Sequence, residues 1–233
     1  MVGATLAVVA SVVLAGSALA AGFTNGSFED GSWTATGTGY ENLVAGTPSA
    51  SYIPGWTVTA GNIDWIQGFW TSEDGLRSLD LSGYNAGAIS QTFDTTVGAT
   101  YFVSFWLAGN PDAGPAVKTM TVGTDASGSP VTTYTFDTTG HSDSSMGWTL
   151  EGYSFTASAG STTLTFTSLT DTNAGPALDN VSVTQVATTG ASCKDGGWET
   201  NLYMDSSGNT LTFKNQGQCV SYFATSGATP IGN

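Results

Sequence analysis

The chain has 233 residues, a formal net charge of −14, and four Lys and Arg side chains against 18 Asp and Glu. That balance excludes nucleic acid and anionic membrane surfaces as partners, because both are held by basic patches. Aromatic residues at 11% and hydrophobic residues at 40% exclude a disordered chain, and 31 glycines among few charges describe short strands joined by tight turns.

Residues 1–20 form an apolar run that ends in Ala18-Leu19-Ala20. Small residues at those two alanines match a signal-peptidase site, so the run is expected to be a signal peptide, with a retained membrane anchor as the alternative. No membrane insertion of the mature chain is expected. Export makes a disulfide between Cys193 and Cys219, the two cysteines of the chain, reasonable.

The mature chain opens AGFTNGSFEDGSW, with Phe23 and Phe28 placed in the core from an edge strand. A Gly/Thr/Ser loop containing Tyr40 and Glu41 runs to Ser51. Strands are then predicted over residues 56–60, 63–66, 77–81, 88–93, 99–108, 117–122, 131–136, 148–155, 163–166 and 177–186. In the longest, Tyr101, Val103, Phe105 and Leu107 face one way and Phe102, Ser104 and Trp106 the other. Both faces are largely apolar, as a strand with neighbours on both sides requires. About ten strands spaced by turn signals predict an all-β jelly-roll sandwich over residues 21–187. Residues 188–233 are expected to be a linker and a small tail module closed by the disulfide.

Several stretches in order resemble one family: NGSFE at 25–29, IPGWTV at 53–58, IDWI at 63–66, RSLDLSG at 77–83, GAISQTF at 87–93, YFVSFWLAGNPD at 101–112 and ALDNVSV at 177–183. The match is similar to the secreted family called domain of unknown function 642, and within it to the bacterial branch called choice-of-anchor C proteins. It implies a galactose-binding-like jelly roll akin to carbohydrate-binding modules. Plant members of that family are associated with cell-wall polysaccharide and carry two such domains in tandem, where this chain has room for one. The resemblance also implies a structural calcium ion, because Glu29 and Asp179 match the positions of two calcium-binding carboxylates in such modules. The alternative for that pair is a hydrogen bond to turn amides. The tail resembles a short module found at the end of various secreted bacterial proteins.

Residues 63–91 bring Trp65, Phe69, Trp70 and Tyr84 among Asp64, Glu73, Asp74, Arg77, Asp80 and Asn85. Ring faces stack on the apolar faces of a pyranose, and carboxylates and amides partner its hydroxyls. Asp64, Trp70, Arg77, Tyr84, Asn110 and Asp112 are the candidate ligand residues, with Trp70 or Tyr84 as the stacking platform. Trp56, Trp65 and Trp106 are assigned to the core or its support. Sandwich core and solvated turns are the competing account of the same residues. Asp64 with Asp80 is the pair a glycosidase would use, whereas His141 sits in a polar loop and is expected to be solvated. The expectation is a secreted or cell-surface, non-catalytic protein that binds a neutral polysaccharide. An adhesive protein with an extracellular protein partner is the second expectation, and a glycan-active enzyme the third.

Overall fold

Alternation of period two turns one set of side chains of each strand inward, and the strands assemble to bury those sets against each other. The computed structural model describes residues 20–34, 37–205 and 208–225. The expected signal peptide therefore falls, but for Ala20, outside the described residues. Contacts divide the chain into two units, one closing at Gln185 and one beginning at Val186.

The first unit is a jelly-roll sandwich of two antiparallel sheets. The six-stranded sheet runs β1 (Tyr40–Val44), β3 (Asn62–Gln67), β4 (Arg77–Asp80), β11 (Pro176–Gln185), β6 (Thr100–Gly109), β9 (Thr149–Thr156). The five-stranded sheet runs β2 (Thr57–Ala60), β5 (Ala88–Asp94), β10 (Ser161–Ser168), β7 (Val117–Thr124), β8 (Thr132–Asp137). Trp65, Leu79, Leu178 and Leu107 lie in one cross-strand row of the first sheet, and each is at most 1% exposed. Across the core, Phe105 of β6 meets Phe166 of β10 edge to face at 5.3 Å. β6 is central in the sheet, paired at both edges by β11 and β9, with Tyr101, Val103, Phe105 and Leu107 buried and Phe102, Ser104 and Trp106 partly exposed.

Two local expectations change. Phe23 and Phe28 are core residues, but no edge strand carries them. Asn25 and Phe28 have φ of 53° and 60°, a left-handed backbone that breaks a ladder. The segment is held instead by indole donors, Trp56 Nε1 to the Asn25 carbonyl at 2.9 Å and Trp65 Nε1 to the Phe28 carbonyl at 3.0 Å. The expected loop before Ser51 contains β1, which pairs with β3 and places Tyr40 and Asn42 on the sheet.

The second unit has its own small core of Cys193, Tyr203, Phe213 and Cys219. It contains α1 (Gly197–Thr200), the short pair β12 (Tyr203–Met204) and β13 (Thr210–Leu211), and α2 (Gln216–Ala224), a helix the sequence reading does not contain. Asn215 caps α2 by accepting from the Gln218 amide at 2.9 Å. The Cys193–Cys219 disulfide is formed, with the two Cα atoms 5.8 Å apart across a sequence separation of 26. Closing a loop of that length is worth roughly 3.5 kcal/mol in the chain-entropy model. We expect C193A/C219A to expose residues 190–225 to proteolysis while the sandwich keeps its melting temperature within about 2 °C, as read by limited digestion and calorimetry. Equal loss in both units would contradict their independence.

Candidate functional site

Two places in the sandwich gather polar side chains. The first is the loop at residues 73–77, between β3 and β4. Asp179, buried on β11, accepts the amides of Glu73 and Asp74 on Oδ2 at 2.9 and 3.1 Å, and the Asn180 amide on Oδ1 at 2.7 Å. Glu29 accepts the amides of Leu76 and Arg77 on Oε1 at 2.8 and 2.7 Å. Arg77 completes the latch. Its guanidinium lies 4.5 Å over the Trp65 ring, its Nε donates to Gln67 at 2.8 Å, and its Nη1 donates to the Glu29 carbonyl at 2.6 Å. Glu29 and Asp179 thus meet on one loop, but as acceptors for backbone amides. Calcium needs about six to eight bare oxygen ligands. Amides occupy both oxygens of Asp179 and Oε1 of Glu29, the hydrogen-bonded arrangement expected as the alternative to calcium for this pair. Among the described residues no group of three or more His, Cys, Asp and Glu is gathered as a metal site.

The second place is a pocket of about 240 Å³ on the six-stranded sheet. It grows out of a single row of opposed residues: Asn42 on β1, Asp64 on β3, Asp80 on β4, Ala177 on β11 and Ala108 on β6. This row sits one residue out of phase with Trp65, Leu79 and Leu178, so it belongs to the opposite face of the sheet. Two carboxylates form the floor. The apolar wall is Ile66, Phe69 and Tyr40, and the facing wall is Asn110, Ala113 and Ala174 from the loops after β6 and before β11. Tyr84, 72% exposed, stands at the rim with Asp112 and Asn173.

Neutral donors hold the floor. Asp80 is 1% exposed and accepts from Asn110 Nδ2 at 2.8 Å and from the amides of Ser82 and Gly175 at 2.9 Å each. Asp64 accepts from Asn42 Nδ2 at 2.6 Å. Burial pushes the Asp64 carboxyl up to about 6 and the Asp80 carboxyl up to about 7, against the pull of those hydrogen bonds. The negative charge of Asp64 adds to the rise at Asp80. Behind the loop wall, fully buried Lys118 donates from Nζ to the carbonyls of Ala113 at 2.5 Å and Ala174 at 2.8 Å, tying the two loops together.

Of the six ligand candidates, Asp64, Tyr84, Asn110 and Asp112 converge on this pocket and two do not. Trp70 is 4% exposed, packs in the core and donates from Nε1 to Ser78 at 2.8 Å, so it has no free face and is no platform. Arg77 is spent on the latch. Trp56 and Trp65 are core residues, and Trp106 is partly exposed. His141 packs on Phe136, with its ring nitrogen 3.3 Å from the Ser145 carbonyl. Tyr40, Asn42, Phe69 and Lys118 are absent from the candidate set. Lys118 had a signal: it falls in phase with Met120 and Val122 on β7, and a lysine on a buried face needs partners.

A family model described as "Protein of unknown function (DUF642)" matches residues 21–184. The chain is 31% identical over 171 residues to halomucin of Haloquadratum walsbyi, a stretch that is 69% of this chain and 2% of that protein. Among solved structures, a family 61 carbohydrate-binding module in complex with β-1,4-galactotriose aligns with a TM-score of 0.43 at 15% identity, over 71% of this chain and 98% of that one. A family 35 carbohydrate-binding module from Paenibacillus barcinonensis aligns with a TM-score of 0.41 at 17% identity, over 56% and 93%.

Two outcomes follow from these contacts. Glu29→Ala removes the acceptor of two amides, a loss of about 1–3 kcal/mol. We expect at least tenfold faster hydrogen exchange at the Leu76 and Arg77 amides in that variant, and no change in wild-type melting temperature on adding EDTA. A fall in EDTA would restore calcium to the pair. The second outcome is a pH profile. Asp64, Asp80 and Asp179, the last also raised to about 7 by burial, hold protons that an unfolded carboxyl near 3.9 has released. The folded state therefore binds more protons between about pH 4 and 7, and stability falls as pH rises through that window before levelling. Thermal melts from pH 4.5 to 8 should show this slope, and Asp80→Asn should flatten it. A melting temperature that climbs over the window would contradict the buried, neutral-partnered carboxylates.

Proposed function

The chain belongs to the DUF642 family, and from that premise we propose that its sandwich unit is a non-catalytic carbohydrate-binding module of an exported protein. The pocket over Asp64 and Asp80 would take one sugar unit of a glycan. The observation that carries this reading is the meeting, in one hollow, of the aromatic side chains of Tyr40, Phe69 and Tyr84 with Asp64, Asn110 and Asp112. Rings stack on the C–H face of a pyranose, and acceptor carboxylates beside an amide that both donates and accepts match its hydroxyls. Pockets for drug-sized ligands span about 300–1,000 Å³. At about 240 Å³ this one suits a single ring, with the neighbouring units of the glycan lying across the exposed rim.

Binding without cleavage is supported by the state of Asp80. A glycosidase places one carboxyl on each side of the scissile bond, free to reach it. Both oxygens of Asp80 are taken by Asn110, Ser82 and Gly175 at the bottom of the pocket. An exterior setting is supported by the apolar run at residues 1–20, by the disulfide and by the relative named halomucin. The acidic floor disfavours uronate and sulfated glycans. The neutral sugars expected from the composition remain, and so do basic ones.

A glycan array with the wild-type chain, followed by titration of the best ligand, tests this. We expect Tyr84→Ala to weaken binding at least tenfold. Trp70→Phe should lower the melting temperature and leave affinity within twofold. Affinity unchanged in Tyr84→Ala would remove the pocket from the reading, and an array with no glycan bound would shift weight to a protein partner.

A further inference from the structure

The pocket floor is acidic and its direct hydrogen-bond donors are neutral, and that combination indicates the ligand. Asp64 and Asp80 face each other on neighbouring strands of one floor, and Asp112 stands above them. Among the described residues the donors to the two floor carboxylates are neutral: the Asn42 and Asn110 side-chain amides and the backbone amides of Ser82 and Gly175. Asp64 receives its one donor on Oδ1, and no second donor to it is found among the described residues. Of the four Lys and Arg side chains in the chain, Arg77 and Lys118 lie in the sandwich unit. Arg77 is bound into the latch at residues 73–77. Lys118, behind the loop wall, spends its ammonium on the Ala113 and Ala174 carbonyls. Neither is among the lining residues, although the charge of Asp80 acts on Lys118 through the loop wall.

We propose that the sugar unit bound here carries a free, protonated amine, as in a glycan of de-N-acetylated amino sugars, and that its ammonium sits on Asp64 over Asp80, beside the Tyr40 and Phe69 wall. This rests on the sugar-binding reading and specifies its ligand. Hydroxyls satisfy the acceptors of a carboxylate but leave its charge uncompensated. An ammonium supplies three donors and the opposite charge together. Aromatic faces add a cation–π attraction, strongest where water is excluded. An N-acetylated unit would bring a neutral amide in place of that charge.

The proposal also fixes the direction of proton flow. Burial among neutral donors keeps both floor carboxyls partly protonated near pH 6 in the free protein. An ammonium between them favours their ionised forms, so complex formation should release protons there. The charged and titratable groups around the floor are Tyr40 from β1, Tyr84 from the turn after β4, Asp112 from the loop after β6 and Lys118 from β7.

The test is calorimetry on the full chain with three probes of equal length: a β-1,4-linked glucosamine trimer, its fully N-acetylated counterpart, and a neutral β-1,4-galactotriose. Titrations are run at pH 6 in two buffers that differ in ionisation heat. We expect the free-amine trimer to bind at least tenfold more tightly than either other probe, with net proton release. Asp64→Asn, which keeps the Asn42 hydrogen bond, should bring the three affinities within about twofold. Asp112→Asn, an exposed change that leaves the core untouched, should weaken the free-amine trimer by about two- to fivefold. If the acetylated or neutral trimer binds as well as the amine, or the amine preference survives in Asp64→Asn, the proposal is overturned and the sugar-binding reading stands. If none of these probes binds and a glycan array is also blank, both are overturned.

Discussion

Asp80 is the contact on which the pocket depends. A carboxylate withdrawn from water loses several kcal/mol of solvation, and it is tolerated only where donors are fixed around it. Its donors come from three places in the chain: Ser82 just after β4, Asn110 after β6, and Gly175 before β11. Satisfying one buried group therefore sets the positions of two loops and a turn, and those segments are the pocket wall. Side chains smaller than the average make room for this. Ala177 and Ala108 continue the row beyond Asp80, and a Cβ on Gly175 would run into Ser82 and Asp80 itself. Likewise, a Cβ on Gly83 would collide with Asn42, Asn62 and Asp64.

The same device appears at residues 73–77, where Glu29 and Asp179 collect four loop amides between them. In a chain with so few cations, carboxylates are served mainly by amides, and the two cations of the sandwich unit serve as ties between loops. Arg77 is flanked by Trp65 and Trp33 and bonded to the Glu29 carbonyl, and Lys118 spans two carbonyls. The consequence for function is a pocket whose negative floor is held in shape by neutral groups. A cationic ligand that enters it favours the ionised form of carboxyls that burial leaves partly protonated.

The sandwich was legible because its strands alternate. Each of β2 to β11 has a predicted counterpart, with ends displaced by at most two residues. What alternation does not encode was missed or misread. β1 lies in a stretch rich in Gly and Thr where period two is weak. The Phe23–Phe28 segment has core residues two turns apart with a left-handed backbone between them. The short α2 helix depends on an Asn cap and the disulfide more than on a repeating apolar stripe. At the site, Asp64 was recognisable as a carboxylate on a strand and Tyr84, Asn110 and Asp112 as polar or aromatic residues on turns, and the fold brings all four to one hollow. Trp70 and Arg77 sit in the same stretch and carry the same composition signal. Only the pairing of β3 with β4 shows that Trp70 turns to the core and Arg77 to the latch. Glu29 and Asp179, expected as a calcium pair, both accept amides of residues 73–77, and whether their oxygens face a cation or backbone amides depends on a loop conformation that sequence does not spell out.

The most direct measurement of the central claim is a map of backbone amide shifts on titrating the isotope-labelled chain with a glycan it binds. The account predicts that the largest changes fall on Asp64, Ser82, Tyr84, Asn110, Asp112 and Gly175, which surround the floor carboxylates. Changes centred instead on the hollow of about 210 Å³ lined by Ser127, Ser129 and Thr156, with the floor amides silent, would contradict it.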